Sequence, residues 1–129
     1  MPAPLPLGDD SVAPLDPIEF TPTVALDFHP GAVDGVWWAT LHIGRQAVEI
    51  GTVRGVLDLD SVLTMAAGVI MERPAHADDV FVSPDGTERW VLIGSWVLNA
   101  RMTSRPNHVH YGSHELARAI FTRLAEHQL

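Results

Sequence analysis

The chain has no cysteine and no lysine. Without cysteine there are no disulfides, thiolate metal sites or cysteine nucleophiles, which fits a reducing compartment. Without lysine there is no Schiff-base residue and no P-loop lysine. All eight basic side chains are arginine, as a GC-rich coding sequence would give. No apolar run reaches the roughly 18 residues of a membrane span. The start, "MPAPLPLGDD", has neither a basic opening nor a continuous apolar stretch, so it does not read as a signal peptide. The expectation is a cytoplasmic protein, or one assembled into a particle formed there.

What is present suits one domain. The 129 residues are 47% hydrophobic, enough for a single core and too much for a disordered chain. The net charge of −8 speaks against general nucleic-acid binding, which needs a basic surface to displace counterions. The charge is also unevenly placed. Residues 1–44 hold six acids and no arginine, residues 45–88 eight acids and three arginines, and residues 89–129 two acids and five arginines. The chain is acidic first and mildly basic last.

Residues 1–17 hold five prolines and three aspartates. Pro2, Pro4 and Pro6 alternate with other residues, which favours an extended acidic arm. Residues 18–129 are expected to form one α+β domain. In "TVALDF", Val24, Leu26 and Phe28 alternate as in a half-buried strand. "VWWATLHI" puts Trp37, Ala39, Leu41 and Ile43 on one face and Trp38, Thr40 and His42 on the other. "AVEIGTVRG" is a further strand, with Gly51 weakening it or marking a bulge.

"LDLDSVLTMAAGVIMERP" changes to helical spacing. Asp58 or Asp60 would cap this helix and Pro74 would stop it, and Gly68 would cost about 1 kcal/mol relative to alanine. "DDVFV" and "ERWVLI" flank a Pro-Asp-Gly turn. Gly94-Ser95 then makes a second tight turn, in a register that sets Ile93 opposite Trp96, Val91 opposite Leu98 and Glu88 opposite Arg101. A final helix, capped by Ser113, carries a stripe of Leu116, Ile120 and Leu124, widened by Ala117 and Phe121, with Glu115 and Arg118 paired outside. The expected architecture is a mainly antiparallel sheet of about six strands in β-β-β-α-β-β-β-α order, with the helices packed on it.

The stretch "RMTSRPNHVHYGSHE" gathers three histidines, two arginines and a carboxylate. His108 and His110 are two apart, so on an extended segment both imidazoles share a side, as paired metal ligands must. Glu115 or His114, at the helix start, would close a third position, and the candidate divalent-metal set is His108, His110 and Glu115. The spacing resembles part of the cupin metal motif. However, no glycine precedes His108 by six residues, and a terminal helix follows where a cupin would continue its barrel. The competing explanations are a solvated loop with ordinary capping, and an anion site at Arg101, Arg105 and the helix start. No nucleophile elbow and no Gly-rich phosphate loop occurs, and no catalytic residue is assigned.

The pattern "VALDFHPGAVDGVWWATLHIG" followed by "VEI" is similar to the start of SsgA-like sporulation and cell-division proteins, over about a quarter of the chain. That resemblance implies a small acidic fold of strands with two helices, and a regulatory adaptor role. It carries over no individual residue. In place of the family's downstream Gly-Asp-Val strand, this chain has Asp78-Asp79-Val80.

These readings converge on a non-enzymatic interaction or assembly protein, such as a small virion component or an immunity-type binder. The partner would be another protein or a second copy of the chain. Pro4, Pro6, Asp9 and Asp10 of the arm would dock near Arg101, Arg105, Arg118 and Arg123, and Trp38 would serve as an exposed anchor. The rival reading is a small metal-dependent enzyme or binding protein at His108, His110 and Glu115.

Overall fold

The computed structural model describes residues 16–54, 56–101 and 105–128. Its first half is a four-stranded antiparallel meander: β1 (Ile18–Thr21), β2 (Val24–Pro30), β3 (Trp37–Ile43) and β4 (Gln46–Val53). Its alternation is clean. Val24, Leu26, Ala39, Leu41 and Ile43 are buried on one face, and their strand neighbours point away, as in an antiparallel sheet with one wet side. The expected bulge is present. Ala39 pairs with Gly51 and Thr40 with Glu49, so Ile50 is the extra residue. Its side chain turns inward and is buried.

Helix α1 (Val56–Met71) follows. Asp58 binds the Arg54 N–H at 3.0 Å, while Asp60 caps no N–H among the described residues and lies 3.4 Å from His108. Val62, Ala66, Ala67, Ile70 and Met71 join the core of the first sheet. Pro74 opens a short 3-10 turn, Pro74–His76, beyond the helix end.

The second half repeats the layout with β5 (Asp79–Val82), β6 (Glu88–Ile93), β7 (Trp96–Arg101), β8 (Asn107–His110) and α2 (His114–Gln128). The β6–β7 register is the one expected, Ile93 with Trp96, Val91 with Leu98 and Glu88 with Arg101. This hairpin is buried on both faces, which is why "WVLI" and "WVL" do not alternate. Val91, Ile93, Trp96 and Leu98 meet the first sheet and α1. Trp90, Leu92 and Val97 meet Ala117 and Phe121 of α2.

Three expectations are corrected. There are eight strands among the described residues, in two sheets of four, where about six in one sheet were expected. The additions are β1, hidden between Pro17 and Pro22, and β8, whose polar "NHVH" reads as loop. On α2 the buried residues are Ala117 and Phe121, and Leu116 is exposed. Trp90, Leu92 and Val97 select that face because the small Ala117 lets the helix lie close to β6. Finally, Arg118 sits 3.7 Å from Asp79 of β5 instead of pairing with Glu115. The Ser113 cap is in place, accepting the Leu116 N–H at 3.1 Å.

The β5–β6 turn is tied by Asp85. One carboxylate oxygen accepts the Ser83 hydroxyl at 2.7 Å, the Thr87 hydroxyl at 2.8 Å and the Thr87 N–H at 3.1 Å. These donors, the Ser83 hydroxyl first, lower its pKa from 3.8 to about 2. A depressed carboxylate contributes stability that is complete above its unfolded pKa and is lost as pH falls through the folded one. The urea-midpoint gap between the native chain and Asp85→Asn is therefore expected to be constant above about pH 4 and to close between pH 4 and 2. A gap independent of pH over that range would show that these hydrogen bonds do not favour the ionised form.

Candidate interaction surface

The two sheets are covered differently. α2 lies over the outer face of the second sheet, whereas α1 is used up inside, filling the space between the sheets. No described element packs on the outer face of the first sheet. That face carries Ala25, Asp27 and His29 from β2, Trp38, Thr40 and His42 from β3, and Ala47, Glu49 and Thr52 from β4, as the pairing register requires.

Trp38 stands in the upper half of this face, between His29 and Thr52. Its partner in sequence, Trp37, turns to the core. Trp38 is 42% exposed, although a large aromatic side chain favours burial strongly. Two residues along β3, Thr40 separates Asp27 from Glu49. Asp27 is held by His42, 3.0 Å away. Glu49 is exposed and has no ion-pair partner among the described residues. The strand residues that point outward here include acids, histidines, threonines and one indole, and no arginine.

The other residues singled out in the sequence are dispersed. Pro4, Pro6, Asp9 and Asp10 lie outside the described residues. The four arginines do not act as one free basic patch. Arg118 is engaged by Asp79, and Arg101 has its Nε 3.6 Å from Glu88. Arg101 stays largely in solvent, as do Arg105 and Arg123. Beside Arg101 is a cleft of about 490 Å³ between the end of α1, the β5–β6 hairpin and Pro106. Glu72 and Glu88 line it together with Arg89 and Arg101, so its charges balance. Arg89 donates to the Met71 carbonyl at 3.2 Å, closing the C-terminus of α1.

His108 and His110 do lie on one side of β8, both against Trp96. The ring centroids are 6.1 and 4.7 Å from the indole. Their outer nitrogens go to different partners. His108 Nε2 is 3.4 Å from Asp60 Oδ1, and His110 Nε2 is 2.9 Å from the Ser95 hydroxyl. Glu115 is exposed at the start of α2, in a shallow hollow of about 320 Å³ with Ser113, Leu116 and Ala119. Among the described residues no three His, Asp or Glu side chains are grouped so as to hold a metal. No helix there is long and apolar enough to cross a membrane.

Sequence reasoning missed Leu116, which is 48% exposed, and the hollow beside it. His114, the alternative third ligand, has its Nδ1 2.7 Å from the Gly94 carbonyl. No signal in the sequence distinguishes an exposed Leu116 from a buried one, because both fit helical spacing. No family model, curated protein or solved structure matches the chain.

Proposed function

We propose that the protein is a non-enzymatic interaction and assembly module that docks through the bare outer face of its first sheet, with Trp38 as the anchor. The observation that carries this reading is the half-exposed Trp38 on a sheet face that no described element covers. Trp is among the residues that dominate binding energy at protein interfaces. The polar cleft supports an enzyme less well, since Arg101 lies against Glu88 and Arg89 is held by the Met71 carbonyl.

The size of the face places the contact among small, weak interfaces. Four strands of four to eight residues span on the order of 400 Å². That is about half the ~800 Å² per partner of a standard interface. Self-association is therefore expected with a Kd between roughly 1 μM and 1 mM. Sedimentation equilibrium of the full chain should show a mass that rises with concentration in that range. Trp38→Ala should weaken association about 30-fold or more, with an unchanged thermal melt. A chain that stays monomeric to about 1 mM, or a Trp38→Ala variant that associates like the native one, would remove this reading.

The acidic N-terminal segment is proposed to add to the same assembly by reaching Arg101 and Arg105. Removal of residues 1–17 should then lower the oligomer mass in the same experiment. A cytoplasmic regulatory adaptor of the SsgA-like kind would use the same surface toward a different protein.

A further inference from the structure

From the assembly reading, on which this step rests, we infer that the occupant of the Trp38 face is α2 of a second copy of this chain, bound head to tail. Trp38 enters the hollow beside Leu116, and Arg123 reaches Glu49. The surface needed to receive Trp38 is present on the same molecule. The hollow of about 320 Å³ is lined by Ser113, Glu115, Leu116 and Ala119. Leu116 is exposed there instead of packing on its own sheet, so it offers apolar contact to an incoming indole. The Glu115 carboxylate on the rim is an acceptor for the indole N–H, which needs a partner when it is buried.

Charge and spacing agree with this arrangement. Arg123 lies seven residues after Leu116, on the same side of the helix and about 10 Å along it. It is exposed and has no ion-pair partner among the described residues. On the receiving face, Glu49 and Asp27 flank Thr40, roughly 8 Å from Trp38. The long arginine side chain spans the difference. With the indole in the hollow, the guanidinium of one copy comes to the carboxylate pair of the other, and Glu49, unlike Asp27, has no competing cation. The acidic first half and the mildly basic last third of the chain are thereby brought into contact.

The two contact surfaces are different, so the contact is heterologous and each copy retains one free surface of each kind. Such contacts close into rings or run on as filaments. An interface made from the sheet face alone, back to back, would instead stop at a dimer and would set Glu49 and Asp27 against their own copies.

Two variants separate these arrangements. The first, Trp38→Ala with Glu49→Arg, spoils the sheet face. The second, Leu116→Asp with Arg123→Glu, spoils the helix. All four positions are exposed, and circular dichroism with a thermal melt checks that each variant folds. Each alone should be monomeric by sedimentation velocity at concentrations where the native chain associates. Mixed in equal amounts they should form a heterodimer and nothing larger, because each supplies the one surface the other lacks. In a third variant, Glu49→Arg combined with Arg123→Glu should recover at least tenfold of the association that either change alone removes.

A mixture that stays monomeric overturns the inference. So does a helix variant that associates as well as the native chain, and in that case loss of association in the sheet variant leaves the assembly reading standing with a back-to-back contact. Failure of the native chain itself to associate overturns both.

Discussion

Gly94→Ala is expected to destabilise the fold by about 3–5 kcal/mol, a large share of the ~5–15 kcal/mol that holds a domain together. Two independent penalties fall on this residue. Its φ is +56°, a left-handed conformation that costs a residue with a Cβ roughly 1–2 kcal/mol. In addition, an added Cβ would lie 1.6 Å from the Phe20 carbonyl oxygen. The obstacle is the backbone of β1, so no side-chain rotation relieves it. The turn would have to lift away from the first sheet. That movement breaks the Gly94 N–H bond to Asp78 Oδ2, now 2.7 Å, and opens the contact between Phe20 and Trp96, whose ring centroids are 5.1 Å apart. Gly86 supplies the control. Its φ is +76°, yet nothing lies within 4 Å of an added Cβ, so Gly86→Ala should cost only the backbone strain of about 1–2 kcal/mol. Urea unfolding of both variants checks the pair. Equal losses at the two glycines would mean that the β6–β7 turn does not bear on β1.

The same turn shows what was legible in the sequence. Gly94-Ser95 interrupts an apolar run too long for one strand, and turn chemistry fixed the β6–β7 register to the residue. The first-sheet alternation was equally readable, and it separated Trp37 from Trp38 correctly. The two missed strands are both edges. Edge strands are short: β1 offers only Ile18 and Phe20 as an alternating pair between two prolines, and β8 is mostly polar. The division into two sheets was not readable either, because it depends on which faces meet over long range. Leu116 illustrates this limit. Leu116-Ile120-Leu124 and Ala117-Phe121-Leu124 are equally good helical stripes, and the outer face of β6 and β7 decides between them.

The candidate site was legible in part and for a similar reason. An alternating strand with Trp38 on its polar side declares an outward indole without knowledge of the fold. For the histidine cluster, His-x-His on a strand does place two imidazoles on one side, as the structure has it. Spacing says nothing of what else shares that side. Here it is Trp96, which the imidazoles cover, with Asp60 and Ser95 occupying their outer nitrogens. The three ring contacts make this a wall of the core. His108 is the more enclosed of the two, with only 13% of its side chain exposed.

Trp96→Ala should therefore cost about 3–5 kcal/mol, the usual loss for deleting a buried Trp, and it should act on both halves of the molecule. The indole is buried at the seam. It touches Phe20 of β1 on one side and stacks with His110 of β8 at 4.7 Å and 28° on the other. Its removal leaves His108 beside a cavity and loosens β8, an edge strand of four residues. Amides of β8 should lose hydrogen-exchange protection before those of β6. His108→Ala should cost less than Trp96→Ala, since its Asp60 partner is largely in solvent and exposed pairs are worth at most about 1 kcal/mol. His110→Ala should cost least, being exposed itself. A metal site would reverse this order. Both histidines would then outrank Trp96, because losing a ligand forfeits the binding energy that such a site adds to folding. A chelator would also lower the melting temperature of the native chain. The packing account requires the melt to be the same with and without chelator, and a chelator-dependent fall that is absent from His108→Ala would return His108 and His110 to the role of ligands.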